Sequence, residues 1–316
     1  MAALSSGETA RVAPFGELFR FWRSPPSASL TNHNTTEQNI DRVKGILRRL
    51  GTHAKRGMGQ NFLVDQSVLD QLLATAQVSP ADNIIEVGPG LGVLTRALAE
   101  NAGKVVAVEL DEKLAAELEK AMGNWPNVRV VQGDILKLEP WSSVEGSYKV
   151  VANLPYNIAS PTIRRLLTSP KPPSLIVVMI QKEVAEEIAA RPGNMRLLSI
   201  MVQFYAKPEI VADVSPQCFF PPPKVSSAIL RLYPCDTPPV VVNDPAAFFD
   251  LVAAGFRQPR KQLSNSLSQG LGSTAAVATA YLEDSGIDPK RRAETLTLNE
   301  WATLWKTVSA SRTTST

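Results

Sequence analysis

Histidine and cysteine are scarce in this 316-residue chain, and their scarcity excludes several kinds of active site. The two histidines, His33 and His53, precede the part of the sequence that shows a regular strand and helix pattern. A Ser-His-Asp triad in that part therefore has no histidine to use. Cys218 and Cys235 add too few ligands for a zinc centre and form no disulfide framework. We therefore expect a cytoplasmic protein, in a reducing compartment, that holds no metal.

Long apolar runs are also missing, and the net charge is only +3. No run reaches the roughly 20 residues of a membrane-spanning helix, and the longest candidate, Leu175–Ile180, has the length of a buried strand. Residues 1–60 carry nine Lys and Arg against four Asp and Glu, whereas residues 61–246 carry 16 against 20. Basic flanks around an acidic middle suit a nucleic acid partner, although scattered surface charge explains the totals equally well.

The order of apolar patterns predicts an α/β domain followed by a small helical domain. Residues 1–36 are rich in Ser, Thr, Ala and Pro, and we expect a disordered N-terminal extension there. From residue 83 strands alternate with helices, which predicts a mostly parallel sheet with helices on both faces in a domain of residues 37–236. Residues 240–308 show helical spacing only and predict a small all-α C-terminal domain, with a disordered tail at 309–316.

The same patterns give individual element boundaries. We expect parallel strands at 83–87, 104–110, 128–131, 148–152 and 175–180, and two edge strands that add antiparallel at 207–213 and 225–232. Asp65 is expected to cap one helix, and Ser160 to cap another in which Pro161 takes the first position.

A glycine-rich loop after the first of these strands is a candidate binding element. Gly88, Gly90 and Gly92 let a ligand approach the backbone at the start of a helix, where N–H groups are unpaired. Glu109 ends the next strand, 21 residues after Gly88, where a carboxylate can accept both hydroxyls of a ribose. Asp134 follows the third strand and either accepts from an adenine amino group or serves only as a helix cap. The Gly-x-Gly-x-Gly spacing differs from the Gly-x-Gly-x-x-Gly of dinucleotide-binding loops.

The fourth strand ends in a motif that suits chemistry on an aromatic amine. Asn153 offers a side-chain carbonyl, and the carbonyl of Leu154 is free because Pro155 keeps the chain extended. Two such acceptors can hold the two N–H bonds of an exocyclic amine, while Tyr156 offers a face on which a base can stack. Drawing the nitrogen towards tetrahedral geometry frees its lone pair, so no strong general base is required. The alternative is a turn that simply ends the strand.

The glycine loop resembles the first motif of S-adenosylmethionine-dependent methyltransferases. With the Asn-Leu-Pro-Tyr motif, the chain as a whole resembles the bacterial small-subunit ribosomal RNA adenine N6,N6-dimethyltransferase family. The resemblance spans about residues 37–306 and includes further matching segments at 55–65, 181–185, 214–225 and 288–296.

This resemblance implies a fold, a cofactor, a substrate and a set of site residues. The fold is a Rossmann-like methyltransferase domain, and the cofactor is S-adenosyl-L-methionine. The substrate is a pair of adjacent adenosines in a hairpin near the 3′ end of small-subunit (16S) rRNA, dimethylated at N6 within an immature small ribosomal subunit. The implied cofactor-binding residues are Asn61, Leu63, Gly88, Gly90, Glu109, Asp134 and Asn153. The implied catalytic residues are Asn153, Leu154, Pro155, Tyr156 and Phe219, with Phe219 stacking on the target adenine opposite Tyr156.

Basic residues supply candidate contacts to RNA phosphates, although each charged run is also consistent with a solvated face. The candidates are Lys55, Arg56, Arg260, Lys261, Lys290, Arg291 and Arg292. We expect the protein to act as a monomer and away from membranes.

Other functions remain open at this point. A related large-subunit rRNA methyltransferase of the macrolide-resistance type is one alternative, although the Arg-Arg-Ala-Glu-Thr-Leu segment at 291–296 favours the small-subunit family. DNA adenine methyltransferases use a similar Asn/Asp-Pro-Pro-Tyr motif. A mainly non-catalytic role as a ribosome assembly checkpoint is a further alternative. A nicotinamide-dependent oxidoreductase is disfavoured by the glycine spacing.

Overall fold

A mostly parallel, seven-stranded sheet forms the centre of the larger domain in a computed structural model, which describes residues 32–55 and 59–313. The described strands are β1 (Phe62–Leu63), β2 (Asn83–Val87), β3 (Lys104–Glu109), β4 (Val128–Gln132), β5 (Lys149–Asn153), β6 (Leu175–Gln181), β7 (Ala206–Val214), β8 (Phe219–Phe220) and β9 (Ser227–Pro234). The α-helices are α1 (Asn32–Arg49), α2 (Gln66–Ala76), α3 (Val93–Asn101), α4 (Glu112–Ala121), α5 (Ala159–Leu167), α6 (Lys182–Ile188), α7 (Leu197–Tyr205), α8 (Pro245–Phe256), α9 (Leu263–Leu271), α10 (Ala275–Asp284) and α11 (Leu298–Thr313).

The strand order of this sheet creates a crevice between its two halves. The order is β4-β3-β2-β5-β6-β9-β7, in which β4 to β6 are parallel and β9 and β7 are antiparallel. The chain runs outward from β2 to β4 on one side and from β5 to β6 on the other, so β2 and β5 mark the point where the order reverses. Ligands of open α/β sheets bind at such a point, beyond the carboxyl ends of the strands.

The sheet is buried on both faces because successive side chains of a strand point to opposite sides. On β6, Ile176 and Val178 pack in one cluster with α5, α6 and α7, whereas Val177 and Met179 pack in the other with α2 and α3. The continuous apolar run of the sequence therefore belongs to a central strand with helices on both sides, as expected.

The helical C-terminal domain shares a core with the larger domain. Phe248 and Trp301 are fully buried in a cluster that also contains Ile200 and Phe204 of α7. The rings of Phe204 and Phe248 lie 5.5 Å apart between centroids. The two domains are therefore joined by apolar packing as well as by the chain.

Several predicted boundaries differ from the structure. The helix expected to begin at Ser160-Pro161 begins at Ala159, after a 3₁₀ turn at Tyr156–Ile158, and Ser160 is not its cap. Helix α11 extends to Thr313, beyond residue 308, and α1 begins at Asn32, within the predicted extension. The rest of that extension lies outside the described residues. By contrast, Asp65 caps α2 as predicted, accepting from the backbone N–H groups of Ser67 and Val68.

The described helices also bear on the membrane question. Among residues 32–55 and 59–313, no helix combines the length and the apolar character that are needed to cross a bilayer.

Candidate active site

A cleft that is partly open to solvent lies beyond the carboxyl ends of β2, β3 and β5. Its lining brings together residues from segments far apart in the sequence. All seven predicted cofactor-binding residues line it, and so do four of the five predicted catalytic residues: Asn153, which belongs to both sets, Leu154, Pro155 and Tyr156. The structure therefore gathers the glycine loop, the two acidic positions and the Asn-Leu-Pro-Tyr motif into one site.

The glycine loop packs directly against the Asn-Leu-Pro-Tyr motif at residues 153–156. Gly88, Gly90 and Gly92 all have positive φ angles, of 67°, 56° and 79°, which side-chain-bearing residues rarely adopt. A Cβ atom on Gly88 would lie 3.0 Å from Cδ of Pro155, and one on Gly92 would lie 2.4 Å from Cδ1 of Leu118. The loop therefore needs glycine both for its backbone conformation and for its close approach to Pro155.

Glu109, at the end of β3, is a buried carboxylate held by backbone donors. Its Oε2 accepts from the N–H of Gly90 at 3.0 Å, and its Oε1 accepts from the N–H of Asp111 at 2.9 Å. Burial raises the pKa of Glu109, while these backbone donors act in the opposite direction. Each oxygen keeps a lone pair, so the carboxylate can still accept from the hydroxyls of a ligand in the cleft.

Glu86 is a further acidic residue of the cleft, and it is absent from the residues predicted from the sequence. It lies within β2, is 1% exposed and has no hydrogen-bond partner on Oε2. Burial raises its pKa to about 8, and the nearby Glu109 carboxylate adds to this shift. An unpaired buried polar atom, in a residue that lines a cleft, indicates a missing partner, here a hydrogen-bond donor or a cation. Its position two residues before Gly88 was the available sequence signal.

Asp134 serves as a cap and also lines the cleft. Its Oδ1 accepts from the N–H of Leu136 at 2.9 Å and so caps the turn that follows β4. The residue also lines the cleft beside Gly133 and Ile135. The capping bond fixes the carboxylate, and Oδ2 remains for a ligand.

The orientation of the Asn153 amide follows from its hydrogen bond. Its Nδ2 donates to the backbone carbonyl of Asn61 at 3.1 Å, and because a carbonyl only accepts, the nitrogen must face Asn61. Oδ1 is therefore directed elsewhere, and no residue of the described chain donates to it. The N–H of Leu154 donates to Met179 at 3.1 Å, while no described donor reaches the Leu154 carbonyl. The motif thus presents two free acceptors.

Tyr156 lies in the 3₁₀ turn after Pro155, half-buried at the edge of the cleft. Its hydroxyl forms a 2.7 Å hydrogen bond with the hydroxyl of Ser227 on β9. Burial raises the pKa of Tyr156, and the carboxylate of Glu183 adds to the rise. The hydroxyl is therefore protonated at neutral pH.

Phe219 does not line this cleft. It forms β8 with Phe220, pairs with Leu63 of β1 and is 2% exposed in the core between α2 and β9. The predicted stacking of Phe219 on an adenine opposite Tyr156 would require its ring to move out of this position, and it stays a prediction.

The candidate phosphate contacts differ in how free their side chains are. Arg260, Lys261, Lys290 and Arg292 are exposed. Arg291 is held within the helical domain, since its guanidinium pairs with Glu300 and donates to the Thr295 carbonyl at 2.7 Å. Lys55 is also paired, since its Nζ lies 2.5 Å from Oδ2 of Asp111. The last candidate, Arg56, lies outside the described residues.

Fold and site together define the class: a Rossmann-like methyltransferase, with a glycine loop after the first parallel strand and an Asn-Leu-Pro-Tyr turn after the fourth. A family model described as ribosomal RNA adenine dimethylase matches residues 51–309. The chain belongs to this family, and it is an rRNA adenine dimethyltransferase.

Individual relatives agree with this assignment. The chain is 46% identical over 264 residues to "Ribosomal RNA small subunit methyltransferase A" of Dehalococcoides mccartyi (strain CBDB1), covering 83% of this chain and 91% of the relative. It is 42% identical to the protein of the same name from Alkaliphilus oremlandii (strain OhILAs), covering 83% and 94%.

Two solved structures are similar over most of the chain. A dimethyladenosine transferase from Plasmodium falciparum superposes with a TM-score of 0.66 at 25% identity, covering 79% of this chain and 98% of that one. The 23S rRNA methyltransferase ErmE superposes with a TM-score of 0.62 at 27% identity, covering 79% and 100%.

Proposed function

We propose that this protein transfers methyl groups from S-adenosyl-L-methionine to N6 of two adjacent adenosines in a hairpin near the 3′ end of small-subunit rRNA. The product is N6,N6-dimethyladenosine, formed within an immature small ribosomal subunit. The observation that carries the proposal is the pair of free acceptors at Asn153 and Leu154, in the same cleft as the buried carboxylate of Glu109.

The two acceptors suit an exocyclic amine as the methyl acceptor. Asn153 Oδ1 and the Leu154 carbonyl can each accept one N–H of an adenine amino group, which orients the nitrogen and directs its lone pair away from the ring. Tyr156 borders the same cleft and offers a surface for the base. A target base reaches such a cleft only after leaving its stack, as is general for enzymes that act on bases.

The residues of the cleft fit S-adenosylmethionine. Glu109 can accept from the ribose hydroxyls, and Asp134 from the adenine amino group. The unpaired Oε2 of Glu86 can accept from the ammonium of the methionine part. Because the glycines of the loop carry no side chains, the loop leaves room for the part of the cofactor that connects its ribose to its ammonium group. When bound, this cofactor supplies a methyl group on a sulfonium, an electrophile that needs no metal or thiolate from the protein.

The choice of ribosomal subunit is supported by the relatives. Those with 46% and 42% identity carry the name of a small-subunit methyltransferase. The structural similarity to ErmE, whose name states 23S rRNA as its substrate, favours the large subunit as a second candidate.

Methylation of separated subunits tests the proposal. Purified protein and S-adenosylmethionine with a labelled methyl group would be incubated with small and large subunits from a strain that lacks this gene. We expect label only in small-subunit rRNA, recovered as N6,N6-dimethyladenosine at two adjacent positions by mass spectrometry. Label in the large subunit would favour the second candidate, and absence of label from both would contradict methyl transfer.

An Asn153→Ala variant addresses the assembly checkpoint. We expect it to bind subunits and to leave them unmethylated and incompletely matured. Full maturation with this variant would favour a non-catalytic role.

A further inference from the structure

The hydrogen bond of Tyr156 leads to a residue of the sheet that no motif singled out. Its hydroxyl partner at 2.7 Å, Ser227, lies 71 residues further along the chain and is fully buried. No other hydrogen bond involves either hydroxyl in the described part of the chain. Within the described residues, each of these two hydroxyls therefore has the other as its hydrogen-bond partner.

The two ends of this hydrogen bond differ in rigidity. Ser227 belongs to β9, a strand paired on both sides, and lies opposite Gln181 of β6 and Val214 of β7. Tyr156 lies outside the sheet, in a short 3₁₀ turn that begins after Pro155. The strand therefore supplies the fixed point, and the hydrogen bond restrains the Tyr156 ring relative to it.

We propose that Ser227 is a positioning residue for the rRNA methylation described above, which keeps the ring of Tyr156 turned towards the cleft. This inference rests on the proposed function. A ring anchored at its hydroxyl end cannot swing about its Cα–Cβ bond, so an incoming adenine meets a surface that is already in place. Preorganisation of this kind reduces the entropic cost of aligning the amine with the methyl donor.

A Ser227→Ala variant separates positioning from cofactor binding. We expect kcat on unmethylated small subunits to fall about three- to tenfold, the effect of one lost buried hydrogen bond expressed in the transition state. The Kd for S-adenosylmethionine, measured by calorimetry, should stay within about twofold, since Ser227 does not line the cofactor cleft. Ser226→Ala, the same change one residue earlier at a half-buried position, is the matched control and should leave both values unchanged.

A double-mutant cycle tests whether the effect passes through Tyr156. Tyr156→Phe removes the other hydroxyl, so we expect it to reduce kcat to a similar extent, and we expect the double variant to be no worse than either single one. Additive losses, or a Kd that rises as much as kcat falls, would assign Ser227 a general structural role and overturn the inference. An unchanged kcat for Ser227→Ala would overturn it too. Failure of the wild-type protein to methylate small subunits would instead contradict the proposed function.

Discussion

Glu86 illustrates how one buried carboxyl can connect ligand binding with pH. Its raised pKa of about 8 arises mainly from burial, and its Oε2 has no partner in the described structure. In the unfolded chain the same group ionises near 4.5. Between these values the folded, cofactor-free protein keeps a proton that the unfolded chain releases, so folding becomes less favourable as the pH rises.

A Glu86→Gln variant should therefore be more stable than the wild type at high pH. Below about pH 4.5 both side chains are neutral, and we expect similar free energies of unfolding. The wild type loses stability relative to the variant as the pH rises, and the difference levels off above about pH 8 at roughly 3–5 kcal/mol. Urea denaturation of cofactor-free protein at pH 5 and pH 8 measures it.

The matched control is Glu119→Gln on the exposed side of α4, which should show little difference at either pH. A difference for Glu86→Gln that is the same at pH 5 and pH 8 would contradict a buried neutral carboxyl.

Tyr156 and Glu109 should affect different steps, because they contact different ligands in the proposed function. Tyr156→Ala removes the surface for the base, so we expect kcat to fall at least about tenfold with little change in cofactor Kd. Glu109→Ala removes the acceptor for the ribose, so we expect the cofactor Kd to rise at least about tenfold. Steady-state kinetics gives kcat and calorimetry gives the cofactor Kd, both measured on the same preparations of each variant. Equal losses of both quantities in Tyr156→Ala would show that Tyr156 is structural.

At the scale of elements, the segment before β1 is tied to the proposed cofactor site at two places. Lys55 pairs with Asp111, whose backbone N–H holds the Glu109 carboxylate. Further along the segment, the carbonyl of Asn61 accepts from Asn153. The segment thus contacts both the proposed ribose site and the Asn-Leu-Pro-Tyr motif, and the side chain of Lys55 pairs with a carboxylate of the protein.

Lys55→Met should therefore weaken cofactor binding more than RNA binding. We expect the Kd for S-adenosylmethionine to rise about two- to fivefold, the range for a partly exposed ion pair. Lys113→Met, at an exposed position of α4, is the control and should leave the Kd unchanged. An unaltered cofactor Kd, together with a weaker salt dependence of rRNA affinity, would instead support the phosphate contact that the sequence suggested.

The sequence predicted the elements well and the contacts between distant elements poorly. The periodicity placed β2 at residues 83–87, and the cap at Asp65 is confirmed, because both depend on local side chains. Ser160 was wrong as a cap, since a 3₁₀ turn at Tyr156–Ile158 begins the helical region earlier and the motif carries no signal for it. The partnership of Ser227 with Tyr156 depends on the register of β9 against β6, which local patterns do not determine.

The same distinction holds for the site. The glycine loop, Glu109 and Asn153 could be placed at strand ends from the sequence, and strand ends of a parallel sheet meet at one edge. They line one cleft, as expected for residues at one edge of the sheet. Their roles in binding the cofactor and the target base stay predictions. Phe219 shows the limit, because a motif match cannot tell whether a side chain faces the cleft or the core.

At the scale of the whole molecule, the methyltransferase domain and the helical domain share one apolar cluster. Phe204 of α7 packs against both Phe248 and Phe249 of α8, with ring centroids 5.5 and 5.3 Å apart. Backbone hydrogen bonds reinforce the contact, since the N–H of Gly193 donates to the Glu294 carbonyl at 2.8 Å. A helical domain of this size has a small core of its own, so we expect it to unfold together with the larger domain.

A Phe248→Ala variant tests this coupling. Loss of a fully buried phenyl ring should lower the free energy of unfolding by about 3–5 kcal/mol. Because the ring contacts both domains, the variant should still unfold in one transition, at a lower temperature than the wild type. Calorimetry and tryptophan fluorescence can follow the unfolding of both domains, since Trp125 and Trp141 lie in the larger domain and Trp301 lies in the helical one. Val277→Ala, at a 40% exposed position of α10, is the control and should shift the transition little. Two separate transitions, of which Phe248→Ala moves only one, would show instead that the shared cluster does not make the domains cooperative.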